Sequence, residues 1–243
     1  MKETYYVGAY WLSRRESAET CAQRAESFFR LLASCDPSLA HWFRKGRTLE
    51  EALKHRLEPD AASLAKVFHQ QAQKEGRFAD DGFSLRGWNG QTHEAASTLS
   101  LLCGDASVWV SNSCLFNPPE EGPAEERVLQ TSVLAQILRA MAMAFEPEWG
   151  IATSSQHRNL VAPESARAGT FVGWLMYFSH RRGPLPPLPP PVHIEAVENK
   201  GTLVILTPER FTASNPAHVE LARDVAERLA QAGLLTPLRP WET

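Results

Sequence analysis

Long apolar runs are missing from this chain: no segment approaches the roughly 20 consecutive apolar residues that a membrane span needs. The opening "MKETYYVGAYW" lacks the basic stretch and apolar run of a secretory signal, and reads instead as a strand. Cysteine is scarce, and Cys21, Cys35, Cys103 and Cys114 show none of the C-x-x-C spacings that hold zinc or shuttle electrons. Buried, reduced thiols in a cytoplasmic protein are the expectation. There is no excess of positive charge either: 25 Lys+Arg stand against 28 Asp+Glu, a formal balance of −3. That balance argues against direct binding of nucleic acid or of a membrane surface.

The common catalytic signatures are absent too. No G-x-S-x-G elbow, glycine-lysine phosphate loop or G-x-G-x-x-G fingerprint occurs. His93-Glu94 opens like a zinc-protease helix, but Ser97 stands where the second histidine ligand belongs. The eight histidines are dispersed, and neither a metal nor any other cofactor is called for. Two enzymatic readings stay open. Dispersed carboxylates could converge in space, and Cys114 with His157 and Asp105 could form a thiol triad, since such partners meet in the fold rather than in the sequence.

What is present is a globular composition, 43% hydrophobic and 22% charged, in a chain of the size that one large domain fills. Thr4 to Leu12 reads as a strand, and Ala18 to Cys35 as an amphipathic helix with apolar residues three and four apart. Helices follow from Thr48, with the capping-box spacing to Glu51, and from Asp60. Strands are expected at Phe83–Trp88, Ser97–Cys103 and Val108–Phe116, then a buried helix from Ala124 to Phe145. A weak strand at Ile151–Ser155 and a strong one at Thr170–Ser179 precede "RRGPLPPLPPP". A hairpin of Val192–Val197 with Thr202–Thr207 and a helix capped by Ser214 or Asn215 close the chain. The order is α+β: a mostly antiparallel sheet of about six or seven strands with helices packed on it, in one domain over 1–243 with a proline-rich crossover at 183–191.

Three features invite a partner. "DGFSLRGWNG", residues 81 to 90, places Trp88 at a strand end beside an Asn89-Gly90 turn, as a plug for the core or as an anchor at an interface. Between Leu115 and Gly150 six glutamates face two arginines, with Glu120 and Glu121 in a loop and Glu125 and Glu126 in a helical first turn. Such a patch suits a basic cleft and would speed its capture. Glu120, Glu121, Glu125, Trp88, Asn89, Asp80 and Asp81 form the candidate partner-binding set. The third feature, Arg181, Pro184 and Pro187 in R-x-x-P-x-x-P order, suits either a rigid spacer or a polyproline ligand for an adaptor groove.

Three stretches together carry a resemblance: "YYVGAYW" with the helix "ESAETCAQRAESFF", the central "DGFSLRGWNG", and "GTLVILTPERF" followed by "NPAHVELARDVAERLAQAGLL". Over about residues 4 to 236 the chain resembles the immunity protein 52 family of bacterial toxin systems. Specifically, it resembles the kind paired with a restriction-endonuclease-like toxin delivered by type VI secretion. The resemblance implies an α+β protein that is not an enzyme and that binds and neutralises a cognate nuclease toxin. Phe83, Trp88, Asn89 and Gly90 match the family's tryptophan-glycine segment. A homodimer of the free protein stays open.

Overall fold

The computed structural model describes residues 2–76, 80–108, 110–162 and 170–238. The first strand, β1 (Tyr5–Trp11), alternates bulky residues, and its Val7, Ala9 and Trp11 are buried. Helix α1 (Ala18–Ala33) begins where the Ser17 hydroxyl accepts from the Thr20 amide, and buries the Cys21, Ala25, Phe28, Phe29, Leu32 stripe. The short α2 (Leu49–Lys54) is capped by Thr48. The Glu51 carboxylate reaches back to the Arg47 amide at 2.8 Å, one residue beyond the capping-box position. Asp60 caps α3 (Ala61–Glu75), which Gly76 ends in the left-handed region.

The sheet holds ten antiparallel strands among the described residues, where the sequence suggests six or seven. Besides β1 they are β2 (Trp42–Phe43), β3 (Arg56–Leu57), β4 (Asp81–Trp88), β5 (Thr98–Asp105), β6 (Asn112–Asn117), β7 (Trp149–Ser154), β8 (Leu175–Ser179), β9 (His193–Val197) and β10 (Gly201–Ile205). They lie in the order β3-β2-β4-β5-β6-β1-β7-β8-β10-β9. The extra members include β2 and β3, two residues each, which pair Trp42 with Leu57 and Phe43 with Trp88.

Several boundaries depart from the sequence reading, and the strand expected from Thr170 begins only at Leu175. Val108 and Val110 belong to the β5–β6 connection, not to a strand, and both are exposed. The buried helix is broken into α4 (Gly122–Val128) and α5 (Thr131–Phe145), bent by 68°. Gln130 restarts it by accepting from the Val133 and Leu134 amides, and the Thr131 hydroxyl ties the joint to the Pro208 carbonyl at 2.6 Å. The bend lets α5 lie along the sheet while Val128 stays in the core.

Helices α1, α3 and α5 cover one face of the sheet. There Trp11 stacks on Phe145 at 5.3 Å, Phe28 meets Phe145 at 5.2 Å and Phe68 meets Phe83 at 6.0 Å. The C-terminal carbonyls of α5 are closed by arginines, Arg14 on Phe145 and Arg24 on Ala144, at the negative end of the helix dipole. Among the described residues the other face is covered only in part. Over β7 the segment from Thr170 lies close, with Gly173 against Ile151 and Thr153 and with Trp149 between Tyr10 and Phe171. Helix α6 (Ser155–Val161), unforeseen in the sequence, joins that layer through His157, which contacts the Val172 carbonyl. Helix α7 (Pro216–Gln231) is capped by Asn215 and followed by Gly233 at positive φ.

Candidate interaction surface

The candidate residues fall at two ends of the sheet. Strand β4 runs from Asp81 to Trp88, and its register pairs Asp81 with Asp105 and Trp88 with Thr98. Its two ends therefore lie roughly 24 Å apart at about 3.4 Å per residue. Asp80 pairs with Arg15 at one end. Trp88, Asn89 and the glutamate loop occupy the other, because Thr98 pairs with both Trp88 and Asn117.

At the tryptophan end the opening motif resolves residue by residue. The Asn89 side chain is 2% exposed and fully engaged: it donates to the Ser38 and Ala95 carbonyls and accepts from the Ser97 amide at 2.9 Å. Gly90 sits at φ 78°, and a Cβ there would stand 2.6 Å from the Phe43 ring. Trp88 is half-buried, packs on Phe43 at 6.0 Å and donates its indole N–H to the Gln91 carbonyl at 2.8 Å. So Asn89 and Gly90 build the turn, and Trp88 both plugs it and shows one side to solvent.

The glutamates also divide. Glu125 is buried and faces Arg210 at 3.1 Å and Lys2 at 3.6 Å. Glu120 and Glu121 are exposed: Lys2 contacts the Glu120 carbonyl and lies 3.5 Å from the Glu121 carboxylate. The Glu121 amide donates to the Glu94 carbonyl, bringing a third exposed acid beside them. Of the three surface carboxylates Glu121 pairs with Lys2, and together they form a negative rim.

Beside this rim lies a surface that the sequence reading did not single out. The registers align Trp88–Thr98–Asn117, Arg86–Ser100–Leu115 and Ser84–Leu102–Ser113 across β4, β5 and β6. Each is exposed or half-exposed, and eight lie on the face opposite α1 and α3, while the Ser84 hydroxyl at the Asp81 end donates to the Glu75 carboxylate of α3 at 3.1 Å. Their chain neighbours Leu85, Leu99, Leu101, Cys114 and Phe116 are buried on the helix side. No helix among the described residues covers the other eight. Arg86 is their one charge, and Leu102, Leu115 and Trp88 are their apolar members. The signal lay in the alternation, since Leu102 and Leu115 take outward positions in strands whose inward positions are already apolar. Tyr6 and Tyr10 of β1 border this floor. Tyr10 folds across Gly8, and burial pushes the Tyr6 hydroxyl up to about 12 against the lowering effect of Arg158.

Two other surfaces compare poorly with it. A groove of about 940 Å³ runs between α5 and the β9–β10 hairpin, but its charges are mutually engaged. Arg139 pairs with Glu195 at 2.6 Å and donates to the Ala196 carbonyl of edge strand β9 at 2.9 Å, which blunts that edge. The exposed residues Leu12, Val108 and Val110 make a small apolar tip at the aspartate end.

The thiol-triad arrangement is not formed. Cys114 is wholly buried on the helix side, and desolvation pushes its thiol far above the ordinary range. His157 holds the Val172 carbonyl on the other face, and burial lowers its pKa. Asp105 is taken up by the Ser107 amide, at the strand end opposite α6. Among the described residues no three His, Cys, Asp or Glu side chains group to hold a metal ion, and no single helix is long and apolar enough to cross a membrane. In the proline-rich crossover Leu185 and Leu188, three apart as the polyproline period requires, pack on the chain's own core and leave Arg181, Pro184 and Pro187 exposed.

Among curated proteins, none matches the chain. A solved structure described as a Pseudomonas aeruginosa T6SS protein matches with a TM-score of 0.53 at 16% identity, covering 93% of this chain and 72% of that one. At that identity the likeness speaks for the fold. The family model described as Immunity protein 52 matches residues 3–238. With nearly the whole chain accounted for by that match, the protein belongs to the immunity protein 52 family.

Proposed function

We propose that this chain is the immunity partner of a nuclease toxin, made in the cytoplasm of the toxin-producing cell, where it binds the toxin stoichiometrically and blocks its active site or its assembly. The toxin is of the restriction-endonuclease-like kind delivered by type VI secretion. Family membership over residues 3–238 is the observation that carries this reading. A nuclease must hold phosphates and so presents positive charge, to which the Glu94, Glu120 and Glu121 rim is complementary. Blocking needs no turnover, only an interface of standard size, roughly 1,200 to 2,000 Å² in total.

The test is direct. Purified chain mixed with the nuclease domain encoded by the neighbouring gene should give one stoichiometric species on gel filtration and should halt DNA cleavage. Co-expression should restore growth to cells poisoned by the toxin. A chain that neither binds nor protects would refute the proposal.

A further inference from the structure

We infer that the toxin docks on the bare floor of β4, β5 and β6, with Leu102, Leu115 and Trp88 at the centre of the contact and the Glu120–Glu121 rim along its border. This rests on the proposed immunity function and names the surface that carries it.

The first ground is composition. The chain is 22% charged, and a sheet face meant only for water normally carries alternating polar and charged side chains. This floor carries one charge, Arg86, with small hydroxyl residues around two leucines and a tryptophan. Tryptophan and arginine anchors with few lysines and acids are the composition of interface centres. The second ground is rigidity. Strands β5 and β6 are paired on both sides by continuous register, and β4 is held along β5 and to β2 at Trp88, so little ordering entropy opposes binding.

The third ground is area and charge. Three strands about 4.8 Å apart and about 20 Å long give a floor of roughly 300 Å² in projection. That is less than the roughly 800 Å² per partner of a stable complex, so the contact must run onto a border. On the side of Trp88 and Asn117 that border is Glu94, Glu120 and Glu121. The occupant is therefore a protein face with an apolar centre and a basic edge. A second copy of this chain carries the same net negative charge, −3, and the rim's field opposes its approach.

The experiment uses the full-length chain and the toxin's nuclease domain. Leu115→Arg should weaken binding at least 100-fold by titration calorimetry while the far-UV spectrum and thermal midpoint stay near wild type. Ser100→Arg, whose side chain leaves the core untouched, should do the same, and it decides the matter if Leu115→Arg fails to fold. Ser132→Arg in the α5 groove should bind normally. Wild-type affinity in a folded Ser100→Arg chain would overturn the inference and leave the immunity function standing. No binding by the wild-type chain would overturn both. If Ser100→Arg instead dissociates a homodimer and keeps toxin affinity, the floor belongs to a second copy and the inference is wrong.

Discussion

Phe116 and Leu115 are chain neighbours in β6, yet they belong to different physical regimes. Phe116 is wholly buried and meets Trp42 at 6.4 Å under the α1–α3 layer, while Leu115 lies half-exposed between Ser100 and Gly8. The same contrast runs through β4 and β5: the helix-side positions are chosen for volume, and the open positions for modest bulk and little charge. Residues inside are held by packing with one another, so their identity bears on stability. Residues on the floor have no second layer among the described residues, so their identity bears on whatever is laid over them.

The contrast fails if the two faces respond alike to substitution. The largest effect expected is on the covered face: Phe116→Ala should cost about 3–5 kcal/mol, since a ring is lost from a site that cannot collapse. Leu115→Ala should stay within about 1 kcal/mol in the same urea titration. Equal losses would mean that the floor is core and that the face is not free. Next in size is Asn89→Ala. It strands the Ser97 amide and two carbonyls in a buried turn, and a loss of about 1–3 kcal/mol is expected from that desolvation. An unchanged midpoint would show that the turn does not depend on the side chain.

Much of this contrast was legible in the sequence, for reasons that can be named. Local chemistry wrote the helix starts: Asp60 and Asn215 cap where their side chains reach the next amides, and Gly233 follows α7 at positive φ. Strand alternation gave Cys114 and Phe116 their inward places. Tertiary contacts decided what could not be read. Strands β2 and β3 exist because Trp42 lies beside β4 and Leu57 pairs with it, and two residues carry no period. The α4–α5 break has no glycine or proline at the joint, and follows from the need to turn α5 along the sheet. The glutamates read as one patch proved divided, because Arg210 from a remote segment buries Glu125. Asp80 and Asp81 lie a strand's length away from the rest.

A smaller effect sharpens the comparison at the border of the open face. His157 is fully buried, with one ring nitrogen on the Val172 carbonyl and the ring edge-on to Phe211 at 4.7 Å. Burial lowers its pKa below the ordinary 6.5. The folded state therefore takes up a proton less readily than the unfolded one. Its stabilising contribution is full above pH 6.5 and drains away as pH falls through the folded-state value. Urea midpoints at pH 7.5 and 5.5 should diverge more in the wild type than in His157→Gln. Equal divergence would place the acid sensitivity elsewhere.

The smallest effect concerns rate alone. Glu120 and Glu121 are exposed and of the two only Glu121 pairs with Lys2, so reversing both to lysine should leave the thermal midpoint unchanged within error, as surface ion pairs contribute little. Their work is done at a distance, by attracting a basic partner before contact. In stopped-flow association with the toxin, the double variant should bind about 3- to 10-fold more slowly at low salt. The deficit should shrink as salt rises, because at 0.15 M the field is screened over about 8 Å. Dissociation should hardly change if the rim only borders the floor. A matching rise in the dissociation rate would instead put these carboxylates at the centre of the contact, and would shift the docking surface from the open strands to the loop that carries them.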